Sequence, residues 1–256
     1  MSQIKLVSLN IERSKHLDLV IPFLEREKPD VACLQEVMEY DVALLEKALG
    51  ASCFYSPQTR HGAEGKSGLF GPAIFSSLRA RHREERYYWG TPDTIFDFDF
   101  TNASTKHATE NHAVSFCDME KDGASFRIAN THFTWTPDGQ PDDFQREDMT
   151  KMLEVLAGMN DFVLCGDFNA PRGGEIFSIL AAKYKDNIPS HYTSSLDPNL
   201  HRIAKTKPHE LEGRMVDGLF STPAYQISDV RLEFGVSDHA AIVATIEKAS
   251  ESNHQQ

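Results

Sequence analysis

Two packed β-sheets flanked by helices is the architecture this chain predicts, and three features of the sequence predict it. The chain opens strand–helix–strand–helix, turns in its middle to a strand hairpin, and closes on three strand-like apolar runs. Strict alternation would give one doubly wound parallel sheet; its breakdown after the first hundred residues calls for a second sheet.

Lys5 to Asn10 reads as a buried strand that ends on a polar residue. Leu17, Val20, Ile21 and Leu24 recur at helical spacing, and Pro29-Asp30 stops that helix. Val31 to Leu34 is a second strand ending in Gln35-Glu36, followed by a helix from about Tyr40 to Leu49 that Gly50 terminates. Residues 56 to 72, rich in Gly and Pro, predict a loop before a strand at Ala73 to Ser77. Ala113 to Cys117 and Phe126 to Phe133 form the hairpin, joined through the charged 118–123 segment. The polar stretch 91–111 before it has no assignment. Pro141 suits the first turn of a helix whose apolar face is Phe144, Met149, Met152, Leu153 and Leu156. A strand then leads to Gly166, a helix spans Glu175 to Ala182, and 187–213 is irregular. Met215 to Phe220, Ile227 to Phe234 and Ala241 to Ile246 close the chain, and 250–256 is expected to fray.

The 256 residues are 40% hydrophobic, enough for a core, and no apolar run approaches the roughly 20 residues that span a bilayer. No signal-peptide pattern opens the chain, so a soluble, cytoplasmic protein without membrane insertion is expected. Cys33, Cys53, Cys117 and Cys165 lie far apart and read as reduced thiols. A net charge of -12 opposes nonspecific adhesion to polyanions but does not exclude a phosphorylated substrate, because divalent cations neutralise a carboxylate-rich pocket locally. Arg79, Arg81, Arg83 and Arg86, diluted by Glu84 and Glu85, read as a solvated surface segment.

Chemistry-bearing residues end the apolar strands. In Gly166-Asp167-Phe168-Asn169 the alternation of an extended segment sends Asp167 and Asn169 one way and Phe168 into the interior. Asn10, Glu36, His132 and Asp217 hold similar strand-end places, and Asp238-His239 immediately precedes the last strand. Strand ends remote in sequence can converge on one rim of a sheet sandwich.

The ordered strings Ser8-Leu9-Asn10, Leu34-Gln35-Glu36-Val37, Thr131-His132, Gly166-Asp167-Phe168-Asn169, Asp217 in its strand and Ser237-Asp238-His239 resemble the endonuclease/exonuclease/phosphatase superfamily, which is deoxyribonuclease I-like. The resemblance implies an α/β fold, a four-layered α/β/β/α sandwich of two packed mixed β-sheets flanked by helices, with residues 1–249 as a single catalytic domain. It implies Mg2+ as cofactor, with Mn2+ or Ca2+ as substitutes, and hydrolysis of a phosphoester; a monomer is expected.

By this resemblance Glu36 is the principal metal ligand, with Asp238, Asn10 and Asp167 beside it, and a carboxylate is the hard oxygen donor that Mg2+ prefers. Asp167 positions the attacking water; Asn10 and Asn169 hold the substrate phosphate. His239, oriented by Asp217, is either the general base or the group that stabilises the phosphoryl charge. His132 either donates a proton to a phosphoryl oxygen or aids departure of the leaving group. Arg172 either reaches the phosphate or is a solvated residue near a helix start.

His132 stands where the family's apurinic endonucleases usually have Tyr, so the chain resembles the deoxyribonuclease I, tyrosyl-DNA phosphodiesterase and phosphatase branches more closely. The leading expectation is a phosphodiesterase or nuclease acting on DNA or a phosphodiester adduct. The alternatives are a phosphoesterase for a small metabolite or lipid head group, and an inactive binding module of the same fold. Trp135 either stacks on a base or tyrosyl group or packs at the rim. His61, His107, His112, His191, His201 and His209 lack zinc-ligand spacing.

Overall fold

In the computed structural model, which describes residues 2–63 and 65–249, the chain runs β1 (Gln3–Asn10), α1 (Leu17–Glu27), β2 (Val31–Met38), α2 (Val42–Leu49), β3 (Ser52–Tyr55), β4 (Thr59–Ala63), β5 (Lys66–Ser76), β6 (Arg79–Trp89), α3 (Ala103–Ala108), β7 (His112–Lys121), β8 (Ala124–His132), α4 (Asp143–Ala157), β9 (Val163–Asp167), α5 (Glu175–Ala181), β10 (Lys185–Asp186), α6 (Arg202–Thr206), β11 (Asp217–Ser221), β12 (Tyr225–Glu233) and β13 (Ala241–Lys248). The tail expected at 250–256 lies outside the described residues. Strands β12-β13-β1-β2-β5-β3 form one sheet, with β4 also paired to β5, and β10-β11-β9-β8-β7-β6 form the other. Both are mixed: β1 pairs with β2 in parallel and with β13 antiparallel, and β9 pairs with β8 in parallel and with β11 antiparallel.

Side-chain alternation sorts most of the interior into three large cores, which define four layers, and a small fourth cluster holds Leu196, Leu211 and Val216. Leu6, Cys33 and Ile242 of the first sheet meet Ile128, Cys165 and Leu219 of the second between the sheets. Val7, Leu9 and Leu34 face Val20, Phe23, Leu24 and Leu45 of α1 and α2. Leu164, Phe168 and Phe220 face Met149, Met152 and Leu156 of α4 and Phe177 and Leu180 of α5. Helices therefore cover both outer faces, as the resemblance implies. The four cysteines are free thiols. No helix of the described residues is long and apolar enough to cross a membrane.

Several expectations need correction. The loop expected at 56–72 is largely strand, since β4 and the first half of β5 pair from Thr59↔Phe70 to Ala63↔Lys66. Its glycines serve close approach: a Cβ on Gly71 would stand 2.1 Å from the Ser56 carbonyl oxygen, and one on Gly68 would touch the Tyr40 ring at 3.0 Å. The arginine-rich segment 79–86 is a surface segment, as expected, and it belongs to β6, the outermost strand of its sheet, where charged side chains guard an open edge. Pro141 lies outside α4; Asp142 caps that helix by accepting the Gln145 N–H at 2.8 Å. Within 91–111 the chain forms α3, and within 187–213 it forms α6.

Candidate active site at the sheet rim

Register brings the strand-end residues together. Asp167 is paired across the backbone with His132 on one side and Asp217 on the other, so all three side chains share the inter-sheet face beyond Cys165, Asn130 and Leu219. Asn10 ends β1 on the same face as Leu6 and Ser8. A single helix-side residue, Phe168, follows Asp167, and its burial on the outer core agrees with the alternation expected.

Glu36 reaches the rim by a different route. In regular β2 its even number would aim it at the helices with Ala32 and Leu34, but the β2–β5 register slips between Leu34 and Val37 and Glu36 takes φ +59°. The bulge returns Val37 to the helix-side core and leaves Glu36 at the rim. A non-glycine residue held in the left-handed region is strained backbone, and Asn169, at φ +50°, is a second case in the same site. Behind them a buried network ties the sheets: Gln35 donates to Asn130 Oδ1 at 2.7 Å, and Asn130 donates to the carbonyls of Leu34 and Ala73, each at 3.1 Å.

The side chains mesh closely. Asn10 Nδ2 donates to Glu36 Oε1 at 3.2 Å and to Asp167 Oδ2 at 3.0 Å, while its Oδ1 accepts the Glu12 N–H at 3.0 Å. Asn10 therefore offers nitrogen to the two carboxylates, and the oxygen expected to ligate a metal is turned to Glu12. Asp167 Oδ1 accepts the Asn169 N–H at 2.8 Å, and Asn169 Nδ2 donates to the Phe133 carbonyl at 2.9 Å. His239 Nδ1 donates to Asp217 Oδ2 at 2.8 Å, leaving Nε2 3.9 Å from Asp167. Ser195 fixes this pair, its Oγ accepting the Asp217 N–H at 3.1 Å and its carbonyl the Ala240 N–H at 2.7 Å.

His132 is set by Gln58. The Gln58 amide nitrogen donates to the His132 carbonyl at 3.0 Å, so its oxygen faces His132 Nδ1 at 3.1 Å and that nitrogen carries a proton. His132 Nε2 then lies 3.9 Å from both Glu36 and Asp167. Separations of 3.9 Å are too long for direct hydrogen bonds.

Charge is concentrated here. Burial alone would lower the His239 basicity, but the carboxylates of Asp217, Asp167 and Asp238 outweigh it and hold its proton well above the ordinary value of 6.5. Burial pushes the Asp238 carboxyl up to about 7; His239 opposes that rise, while Glu12 and Glu36 add to it. His201, buried beside His239 and Arg202, is pushed down to about 4. Crowded oxygens of this kind suit a hard divalent cation, which would relieve the repulsion that burdens Asp238. Glu36 and Asp238 could hold one, and Glu12, His16 and Asp238 also bring one ligand atom each within 4.8 Å of one another.

Arg172 does not take the place expected of it. Its guanidinium pairs with Asp186 at 2.8 Å and donates to the carbonyls of Ile188, Pro189 and Tyr192, pinning the 186–192 loop. It does not line the cavity over the site. The residues that do include Glu12, Phe98, Phe100, Lys106 and Glu110, which the sequence did not flag, together with Arg202 and with His61 and His201, which lack zinc-ligand spacing. Glu12 and His16 had one legible signal, a helical i, i+4 spacing of acid and imidazole; the others sit in segments without pattern.

A rim of carboxylates, amides and carboxylate-backed imidazoles on a four-layered sandwich defines a phosphoesterase, a hydrolase. The chain belongs to the Endonuclease/Exonuclease/phosphatase family, whose model matches residues 7–239. No curated protein matches. Among solved structures it is similar to an endonuclease/exonuclease/phosphatase from Bacteroides vulgatus, at 17% identity and TM-score 0.72 over 97% of this chain and 100% of that one. It is similar to the human Nocturnin catalytic domain with bound sulfate anion, at 17% identity and TM-score 0.70 over 96% of this chain and 94% of that one. It is also similar to the mannosyl-6-phosphatase Bt3783 of Bacteroides thetaiotaomicron, at 16% identity and TM-score 0.63 over 96% of this chain and 99% of that one.

Proposed function

We propose that this protein is a Mg2+-dependent phosphodiesterase that attacks phosphorus in line with water. One observation carries the choice of diester: two cavities, of 290 and 340 Å3, meet over the site and share Phe100, Trp135, Asn169, His201, Arg202 and His239. A phosphorus held at the shared residues has room on both sides, as two ester substituents require. A monoester needs only one lobe.

Glu36 and Asp238 would hold the cation, with Glu12 close by. When bound, the cation polarises the phosphoryl oxygens and neutralises charge that grows on them. Asp167, which accepts the N–H groups of Asn10 and Asn169, takes a proton from the attacking water. His239, protonated at neutral pH, donates through Nε2 to a phosphoryl oxygen, which favours the charge-stabilising role over that of general base. Asp217 positions that ring, and His132 Nε2 faces the departing oxygen.

DNA or a phosphodiester adduct remains within this reading. The second reading, a phosphatase for a small phosphorylated metabolite, is favoured by the mannosyl-6-phosphatase among the similar structures. An inactive module is disfavoured, since Glu36, His132, Asp167, Asn169, Asp238 and His239 all line one cavity. Turnover of bis(4-nitrophenyl) phosphate with Mg2+, abolished by EDTA, is the test. His239→Ala and Asp167→Ala should each lose orders of magnitude while circular dichroism stays native, and full activity in the His239 variant would remove the central assignment. Turnover of 4-nitrophenyl phosphate but of no diester would select the phosphatase reading.

A further inference from the structure

One wall of the cavity is aromatic and comes from segments whose sequence shows no pattern. Phe98, Phe100 and Lys106 belong to the 91–111 stretch, and Trp135 follows β8. Phe100 is 54% exposed and meets Trp135 edge-on, with ring centroids 5.3 Å apart at 64°. The Lys106 ammonium stands over both Trp135, at 5.6 Å, and Phe98, at 5.7 Å, and it pairs with Glu110, which also lines the cavity. This wall is held in place from behind. Trp89 Nε1 donates to the His107 carbonyl at 2.8 Å, and the buried His107 ring bonds Asp148 of α4 at 2.8 Å.

Two guanidiniums, Arg13 and Arg202, line the same cavity, and among the described residues neither has a carboxylate partner. Arg13 Nη1 lies 3.4 Å from His61 Nε2. In a chain of net charge -12, cations left without acids beside a phosphate-handling rim mark a place for an anionic ligand.

We propose that the wall of Phe100 and Trp135 is the subsite for one ester substituent of the substrate, and that this substituent carries an unpaired nucleobase. The proposal rests on the diesterase reading above. A planar ring can cover the exposed face of Phe100 while its edge takes a hydrogen bond from Lys106 and gives one to Glu110. An alkyl chain would desolvate the Lys106–Glu110 pair and return nothing to it. A bare sugar phosphate would leave Phe100 wet. A duplex keeps its ring faces inside its own stack, and a cavity of 290 Å3 is the size of a site for one small molecule.

The test compares thymidine 5'-monophosphate with ribose 5-phosphate in the presence of Mg2+, by calorimetry and by quenching of tryptophan fluorescence. Stacking of one base predicts that the nucleotide binds tighter by about 5- to 150-fold and quenches Trp135. The advantage should shrink toward one in Phe100→Ala, whose exposed side chain can be removed without disturbing the core, and further in Trp135→Ala. Equal affinities in the wild type, or an advantage that both variants keep, would overturn the subsite. Turnover of bis(4-nitrophenyl) phosphate alongside equal affinities would leave the diesterase reading standing, whereas no turnover of any diester would remove both. Cleavage of a thymidine dinucleotide or of single-stranded oligothymidylate supports the subsite and tells which source supplies the base. Nicking of supercoiled plasmid at a comparable rate overturns it.

Discussion

Replacing Asp217 by Asn tests the part of the mechanism that geometry defines best. Asp217 is 2% exposed, accepts the His239 Nδ1–H at 2.8 Å, and has its backbone fixed by the Asp167 pairing and by Ser195. The substitution keeps the volume and removes the charge. A hydrogen bond to a charged group contributes about 1.5–3 kcal/mol, so losing that assistance should slow turnover by about 10- to 150-fold. The pH dependence gives a second readout. His239 holds its proton well above 6.5 against burial because Asp217, Asp167 and Asp238 surround it. If protonated His239 donates to the phosphoryl group, the rate is sustained at neutral pH and falls as pH rises through that raised value. Without the Asp217 charge the fall should begin at lower pH. The assay is kcat for bis(4-nitrophenyl) phosphate against pH, with circular dichroism as the fold control. An Asp217→Asn enzyme with wild-type kcat and an unmoved alkaline limb would refute the reasoning.

Further outcomes follow from single contacts. Glu36→Gln should raise the Mg2+ concentration for half-maximal activity at least about tenfold, because a full charge about 4 Å from a cation matters even at an effective dielectric near 20; a metal titration reads this. Gly166→Ala should destabilise the fold by about 3–5 kcal/mol in urea denaturation, since the position takes φ +150° and a Cβ would stand 2.0 Å from the Thr131 carbonyl oxygen. Glu27 is buried, which opposes its ionisation, but Lys5 and Arg231 bond it and bring its carboxyl down from 4.5 to about 2. A depressed carboxyl stabilises the fold above pH 4.5 and loses that stabilisation as pH falls toward 2. With both partners partly in water, Glu27→Gln should cost about 1–3 kcal/mol at pH 7 and much less near pH 2, measured by thermal melts across that range.

The legible parts of this fold were those where local pattern and final environment agree. Apolar alternation in 163–168 correctly sends Asp167 and Phe168 to opposite faces, and Gly50, at φ +59° with its N–H on the Glu46 carbonyl, ends α2 where a glycine is expected. Pattern failed where tertiary contacts override it. Gly68 and Gly71 look like loop residues but lie in a strand because neighbours press on it. Arg172 looks like a phosphate ligand, yet a remote acid, Asp186, and three loop carbonyls capture it. The aromatic wall was illegible because 91–111 has no periodicity; it is held by single contacts, such as His107 with Asp148, between residues 41 positions apart.

Glu36 shows why a motif can be read correctly while its geometry cannot. Counting along β2 places it on the helix side, and only the slip against β5 brings it beside Asn10 and Asp167. That slip requires φ +59° at a glutamate, a conformation costing of the order of 1–3 kcal/mol that the surrounding structure must hold in place. Burial pushes Asp238 up to about 7 on the same rim, and the charges of Glu12 and Glu36 add to the rise. Strain in the backbone and repulsion among acids thus fall on one rim, and a divalent cation would relieve the second directly. Cation binding should therefore stabilise the fold as well as enable turnover, raising the melting temperature of the wild type more than that of Glu36→Gln. Equal shifts in the two proteins would separate Glu36 from the cation.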